Sequence, residues 1–306
     1  MWHIPLFSVA LALASCSGGS PEAPDPVVVP PPADPPPVNV NIDDPVLTVA
    51  YNDEVSPGDT LTLVWSDEFD AAQLDPEVWF FESGDGSQYG MRGWGNNELQ
   101  YYLPDNAWLG DGLLKIEARS ESTNGYSYTS ARINTRDRFA FRYGRIEARI
   151  RLPGGQGVWP AFWLMPQDSA YGRWAASGEI DIMEAINLGG SGGNFVHGTI
   201  HYGGSSPANE SSGQEYLVST DATAEFHTYA VEWDALAIRW YVDGVLYSVL
   251  DSWYSTGGDF PAPFDQPFYI ILNVAVGGNW PGSPDSSTVF PVTMEVDWVK
   301  VFTGEP

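Results

Sequence analysis

The amino-acid sequence predicts an all-β fold, a β-sandwich of the jelly-roll kind, from three observations. Period-two or β-rich runs recur throughout residues 46–306. The pairs Asp111-Gly112, Asn124-Gly125 and Asp243-Gly244 punctuate them as tight-turn signals. No long 3.6-period segment and no internal repeat interrupts the pattern. Many short antiparallel strands in a block of about 260 residues imply two packed sheets, and that length suits one large all-β domain.

The strands are expected in order. At 60–65 Thr and Leu alternate, and at 112–119 Leu114, Ile116 and Ala118 alternate with Lys115 and Glu117. The run 126–133 follows Asn124-Gly125, and 144–152 sets Ile146, Ala148 and Ile150 between Arg and Glu. Two β-rich runs follow at 194–202 and 227–233. The stretch 237–250 folds back at Asp243-Gly244, so Arg239–Val249 reads as a hairpin with a two-residue loop. The last two strands are 268–275 and 293–302.

The first 45 residues differ in kind. Residues 1–15 read as a signal peptide, since their apolar run is too short to span a bilayer. It ends in Leu13-Ala14-Ser15-Cys16, which resembles a bacterial lipobox and makes Cys16 the expected lipidation site. Its start, Met1-Trp2-His3, lacks Lys and Arg, and a plain secretory signal is the alternative. Residues 16–45 form a Pro-rich acidic linker, with 10 prolines between 21 and 45 and no Lys or Arg, a composition that stays extended. The protein is thus expected to be secreted and held to the outer membrane or cell surface only through an N-terminal lipid, with residues 46–306 as its single domain. Cys16 is the only cysteine, which excludes a disulfide framework or thiol nucleophile in that domain.

The net charge is −27; 5 of the 40 acids lie in residues 1–45, leaving 35 against 13 Lys+Arg, or −22, on the domain. Such a field excludes nucleic acid and polyanions as natural partners and is compatible with a neutral polysaccharide. Simple solubility in a saline habitat explains it equally well. A monomer is expected.

Many of the 13 Trp stand beside Gly, Pro or Asn, as in Trp94-Gly95-Asn96, Val158-Trp159-Pro160 and Asn279-Trp280-Pro281. Those neighbours mark loops and strand ends, where a ring is free to stack on the apolar face of a sugar; core packing is the alternative for any one of them.

The segment Ser177-Gly178-Glu179-Ile180-Asp181-Ile182-Met183-Glu184-Ala185 carries the chemistry. From 179 to 182 it alternates acid and aliphatic as a half-buried strand does. Strict alternation would then bury Glu184, and an unpaired buried carboxylate is costly. A one-residue bulge near Ile182-Met183 returns Glu184 to the face of Glu179 and Asp181. The two glutamates then stand about four strand steps, roughly 13 Å, apart at Cα. Leaning side chains could close the carboxyl gap to the ~5–5.5 Å of retaining glycosidases. Three acids in one cleft disfavour one another's charge. Glu184 is expected to be pushed up as general acid/base and Glu179 to stay ionised as nucleophile. Asp181 is expected to hold or share a proton with Glu179. A polar outer strand face or a calcium ligand set is the competing reading.

Glu179-Ile180-Asp181-Ile182-Met183-Glu184 resembles the bulged signature of glycoside hydrolase family sixteen, and matching segments run from Trp65 to Phe302. Trp65-Ser66-Asp67-Glu68-Phe69 looks like the family's opening strand. Gly95-Asn96-Asn97-Glu98-Leu99-Gln100-Tyr101-Tyr102 resembles the cleft segment of its laminarinase-like branch. Gly157-Val158-Trp159-Pro160-Ala161-Phe162-Trp163, Gly198-Thr199-Ile200-His201-Tyr202-Gly203-Gly204 and Asn273–Gly282 are similar to further family segments. The resemblance implies a concanavalin-like jelly roll with an open concave cleft. It implies substrate contacts at Asn97, Trp159, Trp163, His201 and Trp280, with His201 bonding substrate or Glu184. It implies no cofactor for catalysis but a structural calcium held by Glu68, the Gly112 carbonyl and Asp297; a solvated acidic strand edge is the alternative. His197 and His201 share a strand face at a spacing also found in metal sites, though no third ligand for zinc is evident nearby.

The function these features imply is retaining endo-hydrolysis of 1,3-β-glucan or mixed-linkage β-glucan. An agarase or carrageenase is a second reading, and a sulfated substrate would need basic residues in the cleft, for which Arg132 and Arg136 are the nearest candidates. A non-catalytic lectin on the same fold is the third.

Overall fold

Alternation of apolar and polar residues sorts the strands of this chain into two layers. The computed structural model describes residues 47–50 and 61–304. The expected signal peptide, Cys16 and the linker lie outside the described residues.

In chain order the strands are β1 (Leu47–Ala50), β2 (Leu61–Asp67), β3 (Phe80–Phe81), β4 (Gln100–Tyr102), β5 (Ala107–Gly110), β6 (Leu113–Ala118) and β7 (Tyr128–Ser130). β8 (Arg132–Asn134), β9 (Phe139–Arg142), β10 (Gly144–Arg151), β11 (Val158–Pro166), β12 (Glu179–Glu184) and β13 (Phe195–Gly203) follow. The chain ends with β14 (Asn209–Leu217), β15 (His227–Trp233), β16 (Ile238–Val242), β17 (Val245–Leu250), β18 (Phe268–Val276) and β19 (Val292–Gly304). Helix is confined, among the described residues, to short 3-10 turns.

One sheet runs β1-β9-β18-β11-β12-β13-β14, with β3 and β8 attached beside β18. The other runs β17-β16-β15-β10-β19-β6-β5, with β2 on β19. Pairing is antiparallel except for β1 with β9 and β4 with β7. β10 shows why two layers form: Ile146, Ala148 and Ile150 are fully buried, while the Arg and Glu between them are only partly so. Phe162, Leu164, Ile180 and Ile200 of the first sheet meet Ile146, Ile150, Trp233 and Trp240 of the second in one core cluster. Trimming such a side chain to Ala costs about 2–5 kcal/mol.

The three turn dipeptides behave as expected. Asp111 and Gly112 sit at φ 59 and 72, Asn124 and Gly125 at 51 and 86, Asp243 and Gly244 at 49 and 76. Two successive positive φ values match the twist of the flanking strands, and they close β5 onto β6 and β16 onto β17.

Of the strands not expected from periodicity, β11 and β14 are the longest. β11 carries Pro160 and Pro166, which obscure its alternation, yet it is central between β12 and β18. Pro160 still offers its carbonyl, which accepts from the Ala185 N–H at 3.2 Å. β14 is mostly polar up to Glu215 because it forms the edge of its sheet.

Candidate active site

The phase conflict at Glu184 is resolved by a bulge. Along β11, Trp163 pairs with Asp181 and Phe162 with Met183, so Ile182 is the extra residue. Along β13, Thr199 pairs with Asp181 and His197 with Glu184, leaving Gly198 alone opposite Ile182 and Met183. Ile182 and Met183 are both buried, and Glu179 and Glu184 are both partly exposed. The slip therefore adds one apolar residue to the interior and keeps the glutamates on the outward face.

Each acid has its own surroundings. Trp174 Nε1 donates to Glu179 Oε2 at 2.8 Å, and His201 Nε2 lies 3.7 Å from Glu179 Oε1. Trp159 Nε1 donates to Glu184 Oε1 at 2.9 Å. Asp181 is almost fully buried, with Oδ2 3.4 Å from His201 Nε2. His201 thus stands between Asp181 and Glu179, and it contacts these two rather than Glu184. The cross-strand neighbour of Glu184 is His197.

The charges order themselves accordingly. Burial and the charge of Asp181 raise Glu179 to about 7, against the opposing pull of His201 and the Trp174 indole. Burial and the charges of Asp181 and Glu179 lift Glu184 well above the usual carboxylate range. Glu184 has no contacting cation, so it holds its proton more firmly than Glu179. Burial alone would lower His201, but the bond to Asp181 and the three nearby carboxylates raise it to about 10. Glu179, Asp181 and His201 bring possible metal-ligand atoms within 4.8 Å of one another. A protonated imidazole already fills the role a cation would take there.

Aromatic rings surround the acids. Trp280 is exposed and meets Trp159 edge-on at 5.5 Å and the His197 ring at 4.9 Å. Exposed Asn97 donates to Asn279 Oδ1 at 2.9 Å, tying its loop to the one that carries Trp280. Trp163 is half-buried. Its ring packs on Ala140, Tyr269 and Ile271, carries the Arg132 guanidinium at 4.8 Å and donates to Asn273 Oδ1 at 2.8 Å. These contacts tie the half-buried ring into the wall of the site. Arg132 is ion-paired to Glu82 and also covers Trp94 at 4.6 Å, so its charge is neutralised inside the wall. Trp174 was missed by sequence reading, although it stands five residues before Glu179; a loop conformation, not a spacing, brings it back.

Strand register sets the residues expected to hold calcium at neighbouring levels along β19. Asp297 falls in a bulge of β19 between Val296 and Trp298. Glu68 follows Asp67, the partner of Val299, and Gly112 lies two residues before Leu114, the partner of Val296. Both carboxylates are already engaged: Asp297 with Arg149, and Glu68 with Lys300 at 3.3 Å. His227, the remaining histidine of the domain, is structural, pairing with Asp243 at 2.7 Å.

Comparison with known proteins gives a consistent picture. Residues 94–300 match the family model described as glycosyl hydrolases family 16. Glucan endo-1,3-beta-glucosidase A1 of Niallia circulans is 45% identical over 262 residues, covering 79% of this chain and 38% of its own length. A beta-glucanase of Rhodothermus marinus is 44% identical, covering 78% of this chain and 84% of its own length. The solved catalytic domain of an endo-1,3-beta-glucanase (laminarinase) from Thermotoga petrophila superposes with a TM-score of 0.73 at 42% identity, covering 81% of this chain and all of that domain.

Proposed function

The chain belongs to glycosyl hydrolases family 16, and on that premise we propose that it is an endo-acting β-glucanase that cleaves 1,3-β-linked glucan with retention of configuration. The observation that carries the reading is the bulge at Ile182, with Glu179, Asp181 and Glu184 on one outward face of β12. In the first step the Glu179 carboxylate attacks the anomeric carbon. The glycosidic C–O bond breaks, and Glu184 gives its proton to the leaving oxygen. In the second step Glu184, now ionised, takes a proton from water. That water attacks the anomeric carbon and releases Glu179 from the ester. His201 and the Trp174 indole favour the ionised form of Glu179 between turnovers. Trp159, Trp280 and Asn97 are the proposed sugar contacts.

The reaction needs no cofactor. Structural calcium at Glu68, the Gly112 carbonyl and Asp297 is part of the proposal: strand register supports it, and the ion would take over carboxylates now held by Lys300 and Arg149. The protein is further proposed to be a monomer, secreted and lipid-anchored through Cys16, which metabolic lipid labelling of wild type and Cys16→Ala would test.

Digestion of laminarin, mixed-linkage glucan, agarose and carrageenan, with product sizes and the anomeric configuration followed by NMR, tests the activity. Retained-configuration oligosaccharides from laminarin are expected. Release from carrageenan or agarose alone, or binding to laminarin without release, would overturn the reading.

A further inference from the structure

We propose that Trp240, from the opposite sheet, is the positioning residue that holds the catalytic bulge in register. It rests on the assignment of Glu179 and Glu184 above. Trp240 lies on β16 and is fully buried, with no access to substrate. Its indole crosses the sandwich and donates from Nε1 to the backbone oxygen of Asp181 at 2.8 Å. Asp181 is the last residue before the extra one, where the ladders to β11 and β13 both slip. A bulge disrupts its ladder locally, and a buried carbonyl there needs a partner from elsewhere. Trp240 supplies it.

The other half of the device is Gly198, the single β13 residue opposite the bulged pair. Its side-chain position faces the interior, and a Cβ there would stand 2.3 Å from Trp240 Cδ1 and 2.6 Å from its Nε1. Any larger residue would therefore push the indole away from Asp181. The bulge, the missing side chain across from it and the long indole form one unit, although the sequence separates them by up to 59 positions. Because Glu179 and Glu184 lie on opposite sides of the slip, that unit sets the distance between them.

Trp233 provides an internal control. It is also fully buried on the second sheet, and its Nε1 donates to a backbone oxygen, that of Phe264, at 2.9 Å. Trp240→Phe and Trp233→Phe each remove one buried indole N–H and similar ring volume. Both would be compared with wild type and Glu179→Gln on laminarin, with melting temperatures measured in parallel. For Trp240→Phe we expect kcat to fall about 10²-fold, the cost of misplacing reacting groups by ~1 Å, with KM nearly unchanged. The basic limb of its pH profile is expected to move to lower pH as Glu184 loses its buried setting. Trp233→Phe is expected to lose comparable thermal stability and keep both kcat and the profile. Gly198→Ala, where it folds, is expected to reproduce the kinetic defect of Trp240→Phe. A folded Trp240→Phe with wild-type kcat and pH profile, or an equal kinetic loss in Trp233→Phe, would overturn the inference. Full activity in Glu179→Gln would instead overturn the catalytic assignment beneath it.

Discussion

β10 and β12 are both strands that place charged residues on the outward face of a sheet, and they treat those charges in opposite ways. On β10, Arg145 stands across the ladder from Glu232 and touches it at 2.9 Å, with Glu147 at 2.8 Å. Arg151 pairs across the ladder with Glu295, and Arg149 reaches Asp297. On β12 the partners across the ladders are His201 for Glu179, Thr199 and Trp163 for Asp181, and His197 and Ala161 for Glu184. Among the three acids there the one contacting cation is His201, which reaches Glu179 and Asp181 but not Glu184. The same alternation thus yields a neutralised solvent face in one sheet and stored electrostatic tension in the other. What stands across the ladder decides which, because an opposite charge within a few Å favours the ionised form and a like charge opposes it.

The largest break in this comparison is removal of the tension itself. Glu179→Gln is expected to reduce laminarin cleavage on the order of 10⁴-fold or more, and Glu184→Gln about 10²–10⁴-fold. Glu232→Gln on the neutralised face is expected to leave turnover unchanged. Reducing-sugar assays at equal protein concentration distinguish the two faces.

A second contrast lies in pH. The nucleophile must be ionised, so kcat/KM is expected to rise through about pH 7 as Glu179 loses its proton. His201 lowers Glu179; replacing it with Leu removes that pull and moves the acid limb to higher pH, with a several-fold loss below neutrality. An unmoved limb would show that His201 does not act on Glu179.

Stability gives a third. The folded value of Glu179 is raised above the usual 4.5 to about 7, so the folded state binds more protons than the unfolded state between those values. Stability contributed by this group is therefore present at low pH and lost as pH rises through that window. Glu179→Gln cannot ionise and is expected to melt higher than wild type, by about 2–4 °C for each kcal/mol gained. The gap should widen from pH 5 to pH 7. An equal gap at both values would remove the electrostatic explanation.

The smallest effects belong to the neutralised face. Arg145→Ala is expected to cost about 1–3 kcal/mol, the range of hydrogen bonds to charged groups, because its pairs with Glu147 and Glu232 are largely buried, without changing kcat. Calcium is expected to raise the melting temperature modestly, and Asp297→Asn to abolish that increment.

Much of the site could be read from residues 177–185, because a strand of period two leaves no freedom about where Glu184 must point unless one residue is absorbed. The turns were equally legible, since Asp-Gly and Asn-Gly pairs bring their own dihedral preference. Trp174, the Trp240 indole and the link between His201 and Asp181 were not legible. Each depends on which chain segments the fold brings together, and no local period records that. β11 was hidden for a different reason: its prolines read as punctuation, although its position between two partners keeps it extended. The role of Trp163 came from the family resemblance alone, and no local period shows how Arg132 and the packing beneath the ring tie it into the wall.

β12 has a ladder on each side, whereas Trp174 and Trp280 stand on the connections around it. Exposing the amides of β12 requires parting two rows of backbone bonds together, and the connections can open singly. Hydrogen exchange is thus expected to be slow at 180–184 and fast at 170–178 and 277–283. As the protein warms, its grip on the sugar should loosen well before the spacing of its acids changes, so heat would first weaken apparent affinity and only later turnover.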